Sequence, residues 1–295
     1  MSSMWDAAQY LRFGGVRSRP FFDLLARVGA TGPRYVADLG CGPGTLTAVL
    51  ARRWPAAKVV GVDNSPEMIE AATVSAANNA PDPVAPESGT IAFTLGDVRE
   101  WQPDRPPDVL VCNAVLQWVP GHHDLLVRWA GQLAPDGWLA FQLPGNFYQP
   151  SHAIVREMAA SARWAALLTD AELNRQAGDP EEYAELLARP GYEVDAWETS
   201  YVHILHGENP VLEWAKGTTL RPVLAVLDEE QSAGFLREYG ERLREAYEPR
   251  TFGTPFSFRR VFTVLHRRAD PAVVPTARPE ERAAALAPGA SRAVS

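Results

Sequence analysis

The sequence predicts an α/β protein: a mostly parallel seven-stranded sheet with helices on both faces and an inserted helical cap. Three observations carry this. From Tyr35, short β-rich runs alternate with helical stretches (YVADLG, TLTAVLARRW, KVVGVD, SPEMIEAATVSAANNA), the order that gives parallel strands joined by crossover helices. A glycine-rich turn, GCGPG, follows the first strand directly. After a fifth strand the regular alternation gives way to segments rich in Ala, Glu, Arg and Leu, before two apolar runs close the fold.

In chain order, residues 1–30 form an N-terminal helical segment that covers the site, and residues 31–145 form the α/β core. That core continues beyond its first two strands with IAFTLGD, PDVLVCNAV, a helix around HHDLLVRWAGQLA and the strand GWLAFQLPG. Residues 146–190 read as helices broken at Gly178, Asp179 and Pro180, where glycine and proline interrupt the periodicity. A strand over 191–206 (GYEVDAWETSYVHIL) precedes a second helical insertion over 207–250, and FSFRRVFTVLH supplies the last strand over 256–268. Residues 269–295, rich in Ala, Pro and Arg, have little to bury and are expected to be a disordered tail.

Composition narrows the function. The chain has 295 residues, 46% hydrophobic, with a formal charge of −8, so long-range repulsion disfavours a phosphate backbone and nucleic acid is not expected as a partner. No apolar run reaches the roughly 18 residues of a membrane span, and the N-terminus lacks a signal-peptide layout. A cytoplasmic protein without membrane contact is expected. Cys41 and Cys112, the two cysteines, have neither zinc-site nor redox-pair spacing, and the adjacent His122 and His123 lack further ligands nearby, so no metal is expected.

The glycine turn is informative through its company. Asp38 ends the first strand, and Gly40, Gly42 and Gly44 follow at alternate positions, where a missing Cβ lets the backbone approach a ligand. Neither a GxGxxG fingerprint nor a phosphate-loop Gly-Lys-Ser/Thr is present. Asp63 ends the second strand at a position suited to ribose hydroxyls, and Asp97 follows the third, where its carboxylate and the Val98 amide can meet an adenine edge. All lie at the carboxyl edge of the sheet, the ligand-binding edge of open α/β folds.

Together these residues resemble the class I methyltransferases that use S-adenosyl-L-methionine (AdoMet), whose core is Rossmann-like. The resemblance implies that Asp38 and the Gly40–Gly44 turn border the methionine portion, Asp63 holds ribose, Met68 packs on adenine, and Asp97 with Val98 reads its edge. Asn113 ends the fourth strand, where amine-methylating relatives carry Asn/Asp-Pro-Pro-Tyr. Here Asn113-Ala114-Val115-Leu116 stands instead, which favours an oxygen acceptor over an amine, with Gln117 and Trp118 beside the pocket.

More widely, WDAAQYLRFGGVRSRPFFDLL, NAVLQWVPGHHDLL, FQLPGNFYQPSH, WAKGTTLRPVL and FSFRRVFTV resemble the trans-aconitate methyltransferase family up to about His266. That resemblance implies an AdoMet-dependent monomethyl ester on one carboxylate of a small tricarboxylic acid. A carboxylate with a pKa near 4 is ionised at neutral pH, so no general base, and no catalytic acid–base residue, is expected. The site must instead neutralise a trianion, a task suited to the planar guanidinium. Candidate contacts are Arg19, Arg221 and Arg260, helped by Tyr10, His152 and Lys216. Strand alternation puts Arg259 and Arg260 on opposite faces, and Arg260 is favoured for the pocket. The competing expectations are another small carboxylic or acyl-carrier-bound acid as acceptor, a dinucleotide-binding oxidoreductase, and a non-catalytic AdoMet-binding protein.

Overall fold

The computed structural model describes residues 14–78, 90–169, 171, 173 and 177–269, with side chains from Ser18 onward except those of residues 77 and 78. Tyr10 and the tail beyond residue 269 lie outside the described residues. Seven strands form one sheet in the order β3-β2-β1-β4-β5-β7-β6. They are β1 (Tyr35–Leu39), β2 (Lys58–Asp63), β3 (Ile91–Leu95), β4 (Val109–Asn113), β5 (Trp138–Pro144), β6 (Tyr192–Leu205) and β7 (Thr254–Arg267). The first five pair in parallel, and β7 runs antiparallel to both β5 and β6. The start of β7 therefore lies at the edge where the parallel strands end, so residues from its first half can face ligands bound there.

The central strands are mostly apolar because both faces are covered. In β4, Leu110 and Cys112 join a cluster with Leu126 and Trp129 of α4 (His122–Gln132) and Tyr183 of α6 (Pro180–Leu187). Val109 and Val111 point the other way, into a cluster with Phe21 and Leu24 of α1 (Gly14–Leu25) and Leu50 of α2 (Thr47–Arg53). The same alternation continues in β7, where Val261 and Leu265 face the first cluster and Phe262 and Val264 the second. A third cluster gathers α5 (Pro150–Ala159), α7 (Pro210–Lys216), α8 (Arg221–Val226) and α9 (Glu229–Ala246) around Trp214, Phe235 and Tyr239. It is anchored on Phe256 and Phe258, at the start of β7.

One local expectation needs correction. The helix after the glycine turn begins at Thr47 rather than near Thr45, because Gly44 holds a left-handed φ of 74° and the chain turns through Thr45 and Leu46 first. The helix carrying the paired histidines is capped by Gly121, also left-handed, and Asp124 sits within its first turn. Ser65 caps α3 (Pro66–Asn78), its hydroxyl accepting from the Met68 amide at 3.3 Å. No helix among the described residues is long and apolar enough to cross a membrane.

Candidate active site

The glycine turn after β1 is a row of left-handed residues, with φ of 77° at Gly40, 55° at Gly42 and 74° at Gly44. At Gly40 a Cβ would lie 2.0 Å from Val115, and at Gly44 one would lie 2.6 Å from Phe93, so two of the three glycines are dictated by packing as well as by backbone. Around Gly42 a Cβ would meet nothing, which leaves that part of the turn open to an approaching molecule. Asp63 ties the turn to the next helix: its carboxylate accepts from the Gly42 amide at 2.9 Å and from the Ser65 amide at 3.0 Å.

Asp38 lies beneath the turn, 2% exposed, and accepts from the Thr47 hydroxyl at 2.6 Å. Burial pushes its carboxyl up to about 6; the Thr47 bond opposes this and Asp63 adds to it. At the other end of the site, Asp97 accepts from Arg99 through its backbone amide, at 2.8 Å, and through Nε and Nη2 of the guanidinium. That pair holds the Asp97 carboxyl below its ordinary range. Met68 and Val98 are buried.

Period-two alternation places Asp38, Asn113, Gln142 and Arg260 on one face of four consecutive strands, the face covered by α1 and α2. Register sets their order: Asn113 lies opposite Gln142, and Arg260 opposite Pro144, two residues further on. The Gln142 amide links its neighbours, donating to Asn113 Oδ1 at 2.6 Å and accepting from Arg260 Nη1 at 3.3 Å. Arg260, 8% exposed, also lies 4.6 Å above the Phe258 ring. It thus sits at the boundary between the sheet and the third cluster.

Arg19 and Arg260 approach a common neighbour, Tyr201. Arg19 lies 5.1 Å over its ring, and burial together with the bond it donates to Asp23 raises the phenol's pKa while both arginines oppose the rise. Arg19 itself keeps a side chain 70% exposed, 3.8 Å from Asp23. Arg259 points the other way, to Glu198, Asp179 and the Gly145 carbonyl. His152 on α5 meets Thr219 at 3.1 Å and Phe147 edge-on at 5.3 Å. Arg221 opens α8, two residues beyond Thr219, and donates to the Gly217 carbonyl at 3.1 Å. Lys216 is held by Glu213 at 2.6 Å. His122 pairs with the Tyr183 hydroxyl at 2.8 Å, and His123 stacks on it.

Sequence reasoning passed over Gln142. Its signal was a polar side chain inside WLAFQLP, a strand otherwise apolar and buried on both faces. Such a residue needs built-in partners, because a buried amide without them costs about 1 to 3 kcal/mol.

A family model described as a methyltransferase domain matches residues 13–196. Among solved structures, the YcgJ protein of Bacillus subtilis superposes with a TM-score of 0.52 at 14% identity, covering 84% of this chain and 97% of that one, a likeness of fold. A trans-aconitate 2-methyltransferase of Streptomyces avermitilis is 50% identical over 268 residues, 90% of this chain and 97% of the relative. Another, from Mycobacterium sp. strain KMS, is 52% identical over 264 residues, 88% and 98% of the two chains. Identity at that level spans sheet and inserted helices alike, and the chain belongs to the trans-aconitate 2-methyltransferase family of AdoMet-dependent methyltransferases.

Proposed function

We propose that this chain forms the monomethyl ester of trans-aconitate at the carboxyl edge of its sheet, with cofactor residues on β1–β4 and acid-binding residues on β5, β7 and the helices above them. The observation that carries the reading is the buried Arg260, linked through Gln142 to Asn113 at the end of β4. It joins a cationic acid contact to the strand edge that faces the cofactor. The relatives' names supply the acid.

The residues present fit AdoMet. The open, left-handed backbone at Gly42 admits a ligand, Asp38 offers buried negative charge to a cationic methionine portion, and Asp63 and Asp97 offer carboxylates to ribose and adenine. When bound, AdoMet supplies an electrophilic sulfonium methyl. Met68, on α3, would pack against the adenine, and the Val98 amide would donate to its ring. The Asp97 carboxylate, paired with Arg99, would accept from the adenine amino group as well.

On the acceptor side the chain positions rather than activates. A carboxylate is already ionised at neutral pH, so the attacking oxygen needs no proton removed. Arg260 and Arg221 neutralise acid groups, with His152 hydrogen-bonding beside them and Arg19 at the N-terminal side. The helices α5 and α7–α9 form the cap over this half, and their closure limits water near the nucleophile. Alignment of this kind is worth up to about 7 to 11 kcal/mol.

Initial rates of AdoMet consumption across trans-aconitate, cis-aconitate, tricarballylate and a monocarboxylic acid test the reading. trans-Aconitate should react far faster than the rest, since a displacement of about 1 Å at the attacking oxygen costs on the order of a hundredfold. Equal rates for the two isomers would refute it.

A further inference from the structure

Asn146 is the second residue past the end of β5. It is 1% exposed, and neither its Nδ2 nor its Oδ1 has a hydrogen-bond partner. Buried polar side chains are nearly always partnered, so an orphaned amide asks what it is for. The chain around it is anchored: the preceding Gly145 amide closes the β5–β7 ladder on the Arg259 carbonyl at 3.0 Å, and the Asn146 carbonyl accepts from the Gln149 amide at 3.0 Å. The chain is therefore held in place on both sides while the side chain is left over.

Its position points to the ligand. Pro144, two residues back, lies opposite Arg260. Phe147, the next residue, meets the His152 ring. Asn146 thus lies between Pro144 and Phe147, the residues that meet the two contacts assigned to the acid, at the carboxyl edge of the sheet.

We propose that the Asn146 side chain binds the acceptor acid directly, its amide N–H groups donating to carboxylate oxygens beside Arg260. This rests on the reading of the chain as an acid methyltransferase. Arginines recognise negative charge at any of several positions, whereas an amide fixed at both backbone ends donates in one direction. Asn146 therefore selects where a carboxylate lies, and so which polycarboxylate places an oxygen against the methyl group. Its carbonyl, which a carboxylate cannot satisfy, meets solvent carried in with the acid.

The test uses the full chain with Asn146→Leu, a near-isostere that removes both orphaned atoms, and Asn146→Asp, which keeps the shape but sets a negative charge against the acid. Three quantities are read for each: melting temperature without ligands, AdoMet affinity by calorimetry, and KM for trans-aconitate at saturating AdoMet. N146L should melt no lower than wild type, since no native bond is lost, and both variants should keep wild-type AdoMet affinity. KM should rise by at least about tenfold in N146L and further in N146D, and the rise in melting temperature that trans-aconitate gives wild type should vanish in both. A wild-type KM in N146L, or a fall in its melting temperature that accounts for the lost activity, would overturn the inference alone. A wild type neither stabilised by trans-aconitate nor active on it would overturn the underlying reading, and this inference with it.

Discussion

The two halves of the carboxyl edge are built differently. On β1–β4 most of the proposed cofactor residues sit at a strand end or in the turn that follows, and the three acids take partners close in sequence, Asp63 reaching back to Gly42 as well. Asp63 bonds Ser65, Asp97 bonds Arg99, and Asp38 bonds Thr47. The acceptor side adds remote partners to local ones: Gln142 with Arg260, 118 residues apart, and His152 with Thr219, 67 apart. A site assembled from local turns can serve any methyl acceptor, whereas one assembled across β5, β7 and inserted helices can be specialised without disturbing the first. The comparison teaches that cofactor use and acid choice are separable, and each substitution below tests whether a change in one half leaves the other intact.

The largest effect is expected at the acceptor half. Arg260→Leu should lower kcat/KM for the acid by about 2 to 5 kcal/mol, thirtyfold to several-thousandfold, the range for removing one member of a desolvated charge-assisted pair. AdoMet affinity, measured by calorimetry, should not change. Loss of both together would mean that the Gln142 link makes one unit of the two halves.

The next effect, at Asp38, is one of stability and pH. Burial raises its carboxyl from 3.8 to about 6, so between these values the folded chain binds more protons than the unfolded one. Stability from this group is fully present below about pH 4 and is lost as pH rises through 6, a penalty of about 3 kcal/mol at neutral pH. Asp38→Asn should therefore stabilise the ligand-free protein at pH 7 and hardly at pH 4, by denaturant titration at both. Because the ionised form is the one that attracts a cationic ligand, wild-type AdoMet affinity should rise from pH 5 to pH 7, and this dependence should flatten in the variant. Equal stabilisation at both pH values would separate Asp38 from the buried charge assigned to it.

A smaller effect is expected at Asp63. Asp63→Ala should weaken AdoMet binding by about 1 to 3 kcal/mol while KM for the acid, at saturating AdoMet, stays at its wild-type value. Unchanged titration calorimetry would remove Asp63 from the ribose.

The contrast between the halves also explains what the sequence disclosed. The succession of strands and helices and the glycine turn were legible because each depends on local patterning: apolar runs buried on both faces, glycines where φ is positive, an acid at or just after each of the first three strands. Arg260 was separable from Arg259 by alternation alone, and the structure turns Arg259 to Glu198 and Asp179 instead. Gln142 and Asn146 were not singled out, because their meaning depends on partners brought by β4 and β7 or on the lack of any. Arg19, legible as a cation, lies at the exposed rim of α1. Only tertiary packing distinguishes a rim arginine from a buried one, since both look alike in sequence.

The most direct measurement of the central claim is the product. Incubating the protein with trans-aconitate and AdoMet carrying an isotopically labelled methyl group, and following the label by NMR and mass spectrometry, should give one monomethyl ester. The label should sit on a single carboxylate oxygen, in amounts equal to the demethylated cofactor released. A protein that binds AdoMet yet transfers no label to trans-aconitate, or places it on carbon or nitrogen, would contradict the account.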